Sequence, residues 1–167
     1  MNTLVSRRRL LAATSLVPVA IALNACKGLT ASQVAQQAVS DVKLIASGLA
    51  GALPSLGTAA NIPAATVALI GQTIANIQTV ADGVAAAASN IDAQPLVQQL
   101  EQLLNGAVGA LAGLALPAPF GPALTAAVVL LPVIEALVGM VIAPKAGAMA
   151  MPVDTAREIL AAAAQGR

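Results

Sequence analysis

The sequence predicts an all-α protein, with antiparallel helical hairpins forming an approximately four-helix bundle followed by a short C-terminal helix. Three observations carry this expectation. Aromatic residues make up 1% of the 167-residue chain, so its 58% apolar content comes from Ala, Leu, Val and Ile. Alanine has the highest helix propensity, whereas strands draw on aromatic and β-branched side chains. Apolar residues also recur at steps of three and four, the spacing of one helical face, and Gly and Pro divide the chain into helix-length segments. A chain of this size buries one core, and residues 26–167 are expected to form a single Ala-rich domain behind a segment, 1–25, that is cleaved.

The elements follow in order. Thr30 and Gln33 have the spacing of a capping box, in which two side chains satisfy the free donors of a helix start. Val34, Ala38, Val42, Ile45, Leu49 and Leu53 then form one stripe, with Asp41 off it, and Gly51 and Pro54 are expected to stop the helix. The second element carries Val67, Ile70, Ile74, Ile77, Ala81, Val84 and Ala88, alternating three and four apart like the seam of packed helices. A break at residues 90–92 and a new start at Asp92 and Pro95 follow. The third element is polar through LVQQLEQLLN and apolar from Gly106, where Gly109 and Gly113 form a Gly-x-x-x-Gly pair of the kind that lets helices approach closely.

Residues 123–143 are interrupted only by Thr125 and Glu135 and are long enough to span about 30 Å of hydrocarbon. An ionised carboxylate at mid-bilayer costs about 2.5–3.5 kcal/mol. That penalty favours a soluble central helix whose Glu135 reaches water, with the membrane span as the rival reading. Asp154 is expected to cap a short last helix, residues 155–165, with Arg157 and Glu158 on its surface. A faint duplication links GLAGALP, from Gly48, to ALAGLALP, from Ala110, each expected to close a helix.

The opening stretch, SRRRLLAATSLVPVAIALNAC, holds adjacent arginines, an apolar run and the one cysteine of the chain. A basic start, an apolar middle of about 7–15 residues and a small-residue end make a secretory signal. The run is short of the ~20 residues of a transmembrane helix, and Pro18 breaks it. Ser6 to Leu11, with Arg7 and Arg8 as the paired arginines, resembles the twin-arginine export signal. Leu23-Asn24-Ala25-Cys26 resembles the lipobox of bacterial lipoproteins, which implies that Cys26 becomes the first mature residue and carries thioether-linked diacylglycerol. Residues 27–29 would then be a short tether. Lys27 stands where that family's inner-membrane retention signal has Asp, which implies the periplasmic face of an outer membrane.

The remaining inventory is mainly one of exclusion. The chain has no histidine, the commonest general base and metal ligand, and it lacks a phosphate-cradling loop, a dinucleotide fingerprint and a metal-ligand cluster. No cofactor and no catalytic residue is expected. From Cys26 onward five basic residues face seven acidic ones, a net charge of −2. No basic stripe exists for nucleic acid, whose binding depends on clustered Lys and Arg. The expected function is a non-catalytic, lipid-anchored envelope protein, a structural or adaptor module meeting a protein partner or itself through apolar helix faces. Two alternatives stand beside it: a membrane-active protein that inserts the hairpin 106–143, and a bundle that binds an apolar ligand.

Overall fold

A computed structural model describes residues 31–59, 61–140 and 151–166, which form five helices and no strand. They are α1 (Ala31–Gly57), α2 (Ala64–Ala86), α3 (Asn90–Ala110), α4 (Phe120–Leu137) and α5 (Val153–Ala164). The helical bundle with a short last helix is therefore what the chain adopts. Helix α1 is central and packs against α2, α4 and α5; α3 lies outside, against α2 and α4. Leu53 beside Gly71, and Val39 with Val84 on one groove wall, make α1 and α2 antiparallel. Helix α5 runs alongside α1 in the same direction, with Arg157 at the level of Asp41 and Ala163 at the level of Gly51. One side-chain bond ties the chain together at each end of the bundle: Gln94 Nε2 donates to the Val138 carbonyl at 3.1 Å, and Asn61 Nδ2 to that of Ala115 at 3.1 Å.

The core is made of the stripes read from the sequence, and of more. Val42, Ile45, Leu49, Ile70, Ile77, Leu100, Leu104, Leu130, Ile134 and Leu160 are all fully buried, each worth about 1.5–3 kcal/mol of transfer free energy. Because α1 is covered on several sides, it buries Ala46, Ala52 and Leu56 beyond its expected stripe. In α2 the seam from Ile70 to Val84 is buried, but the helix ends at Ala86 and leaves Ala88 exposed outside it.

Several expected boundaries move, each for a local reason. Helix α1 continues through Gly51 and Pro54 to Gly57. Proline removes one helical donor, and the adjoining turn is closed by Ser55 Oγ donating to the Ala52 carbonyl at 2.7 Å and Thr58 Oγ1 to that of Ser55 at 3.0 Å. The extension also buries Leu56. Helix α3 starts at Asn90, inside the expected break, because Ser89 is its N-cap: its Oγ accepts from the Asp92 amide at 3.3 Å and donates to Asp92 Oδ2 at 2.7 Å. Gly113 lies beyond the end of α3 with φ +80, and a Cβ at Gly109 would meet nothing within 4 Å. The Gly-x-x-x-Gly spacing therefore marks a turn and an open face, not a helix contact.

Helix α4 ends at Leu137, short of the expected residue 143. Gly139 takes φ +77 and the Met140 amide donates back to the Glu135 carbonyl at 2.9 Å, a Schellman closure that needs a left-handed residue. Residues 141–150 lie outside the described residues, as does Thr30 of the expected capping box. The two sequences of the faint duplication play different parts, since GLAGALP lies within α1 while ALAGLALP runs from the end of α3 into a turn.

Candidate functional site

Polar groups inside an apolar bundle are the first places to look for chemistry, because burying one without compensation is costly. Two carboxylates are buried: Asp41 at 1% exposure and Glu135 at 5%. Neither placement matches expectation. Glu135 is buried instead of reaching water, on a helix that packs against α1, α3 and α5. Asp41 sits on the α1 face that receives α5.

There Arg157, expected on the surface, grips Asp41 with two parallel bonds: Nε to Oδ1 at 2.9 Å and Nη2 to Oδ2 at 2.8 Å. Gln37 Nε2 adds a third donor to Oδ1 at 3.0 Å, and Arg157 Nη1 reaches the exposed Asp154 Oδ1 at 3.3 Å. Such a bidentate fork is the strong form of a charge-assisted bond. The hydrogen bonds that Arg157 donates to Asp41 raise the Arg157 pKa above its ordinary value, against the opposing effect of burial. A cation whose folded pKa is raised contributes fully below the unfolded value and loses that contribution only as pH climbs through the folded one. The arginine side of the pair is thus complete at neutral pH. With both carboxylate oxygens engaged, the cluster fastens α5 to α1 and presents no activated base or nucleophile.

Below this cluster the same two helices touch almost backbone to backbone. A Cβ on Gly48 would sit 2.7 Å from Leu160 Cδ2 and 2.9 Å from the Leu160 carbonyl oxygen, and one on Gly51 would collide with the Ala163 carbonyl. Gly51, read in sequence as a stop, is a close-approach position. No signal in the sequence pairs Asp41 with Arg157, which stand 116 residues apart; the only trace is that Asp41 lies three residues after buried Ala38 and four before buried Ile45.

A groove of about 410 Å³ opens at the end of the bundle where α1 begins. Its walls come from the start of α1, the end of α2, the α2–α3 connection, the start of α3 and Val138 just past α4, and half of the lining residues are alanine. Ile91, 76% exposed, stands on α3 at the same end. Leu69 and Val108 are the other large apolar side chains turned to solvent. Among the described residues two helices, α2 and α4, are long and apolar enough to cross a membrane by length and composition; α4 is also the more buried of the two. Among the described residues no cluster of His, Cys, Asp or Glu could hold a metal.

No family model matches the chain, and neither does any curated protein or solved structure. The residues expected to direct export and carry lipid, Arg7, Arg8 and Cys26, lie outside the described residues.

Proposed function

We propose that the chain is exported, lipidated at Cys26 and held on the periplasmic face of a bacterial outer membrane, where its helical bundle acts as a non-catalytic structural or adaptor module. One observation carries the reading: the only cysteine falls at the end of an apolar signal segment, in the sequence Leu-Asn-Ala-Cys. The described bundle starts at Ala31, five residues after Cys26, so none of its described packing uses the residues assigned to the signal. Two or three acyl chains hold a protein stably on a bilayer, at about 0.8 kcal/mol per buried methylene. The polar inventory agrees in kind, since the described buried ion pair is used up in joining two helices.

Intact mass of the mature protein tests the proposal, joined to fractionation of Cys26→Ser. The expected results are an N-terminus at residue 26 bearing diacylglycerol, and release of the serine variant into the soluble fraction. A retained Met1 with an unmodified thiol, or a serine variant still in the membrane, overturns it.

A further inference from the structure

The groove at the start of α1 has three properties that together specify an occupant. It is lined by Ala35, Ala38 and Val39 of α1 and by Ala85, Ala88 and Ala93 across from them, small side chains that leave space where leucines would fill it. None of the lining residues is charged; the polar ones are Gln36, Ser89 and Asn90. Its volume of about 410 Å³ is that of on the order of a dozen water-sized groups, at about 30 Å³ each, and a methylene group is of similar size. A free fatty acid would find no cation there for its carboxylate. A neutral acyl ester needs none.

The chain places such an ester within reach. Cys26 precedes Ala31 by five residues, at most ~17 Å of extended backbone, and the α1 wall of the groove lies within the first three turns of that helix. We propose that one acyl chain of the lipid on Cys26 occupies this groove whenever the protein is off the membrane, so that the bundle shields part of its own anchor from water. This inference rests on the lipidation reading above. The alanine and valine walls take the hydrocarbon, and Gln36 and Asn90 are the polar lining residues left for the ester, the Ser89 hydroxyl being engaged with Asp92.

Two measurements test it on the full exported chain. The Cys26→Ser protein, which lacks the tethered chain, should bind one equivalent of a fluorescent monoacylglycerol, and at least tenfold more weakly the same probe ending in a carboxylate. Ala88→Phe, at an exposed position outside any helix, should weaken binding at least tenfold with an unchanged far-ultraviolet circular dichroism spectrum. In the lipidated protein, the same Ala88→Phe change should slow transfer between phosphatidylcholine vesicles at least tenfold, because the desorbed state loses its shelter; Ala35→Phe should do likewise. Absence of probe binding by Cys26→Ser, preference for the carboxylate probe, or equal transfer rates overturns the groove assignment while leaving lipidation intact. A mass spectrum showing an unmodified Cys26 overturns both readings.

Discussion

Asp41 has three donors on its two oxygens, two from Arg157 and one from Gln37, and its stability depends on keeping them. Removing the arginine leaves a carboxylate in a nearly dry site with one partner, a situation that costs several kcal/mol. Arg157→Ala should therefore destabilise the protein by about 2–4 kcal/mol in urea unfolding followed by circular dichroism, since the chain has no Trp or Tyr to report. Replacing both members, as Asp41→Leu with Arg157→Met, should recover most of that loss, because an apolar pair of similar volume avoids desolvating charge. The glycines make a matched contrast. Gly51→Ala drives a Cβ into the Ala163 backbone and should cost about 2 kcal/mol or more, or displace α5. Gly106→Ala, in α3 with nothing within 4 Å, should stabilise by about 0.5–1 kcal/mol through helix propensity alone. An equal effect at both glycines would contradict the close approach.

At the scale of elements, helix ends were the least legible. The start of α3 is decided by Ser89, whose hydroxyl both accepts from and donates to Asp92. Ser89→Ala should lower stability by about 1 kcal/mol, read as a shift in urea midpoint without a change in slope. The Ser-x-x-Asp spacing was visible in the sequence, but Pro95 drew the expected start inward, toward the usual first-turn position of proline. Proline misled in α1 as well. Pro54 removes one donor, and a single lost bond is outweighed when the next turn buries Leu56 completely. Conversely, Gly139 ends α4 where apolar composition alone would have carried the helix on to residue 143: the local closure needs a left-handed residue, and glycine adopts that conformation without steric cost. Truncating Ile134, fully buried in α4, to Ala should cost about 2–5 kcal/mol.

For the whole molecule, α5 completes the core, lying over both α1 and α4 and covering Asp41. A stop codon at residue 151 should leave a helical chain without a cooperative thermal transition, seen by calorimetry and by loss of slow amide exchange; a sharp transition near the parent Tm would show that the first four helices suffice. Sequence by itself determined the helical class, the bundle and the main core faces of α1 and α2, because helix periodicity and alanine content are local properties that survive without knowledge of neighbours. The resemblance of the stretch around Arg7, Arg8 and Cys26 to export and lipid signals is likewise a matter of short linear patterns, and it enters only the proposal made above. Only the tertiary structure decided that Asp41 and Arg157 pair across 116 residues, that Glu135 is enclosed, that Gly51 admits a neighbouring helix, and that alanines from three helices leave a groove beside the start of α1. The reason is geometric: periodicity says which face of a helix is apolar, but which second face is also covered depends on how many helices surround it.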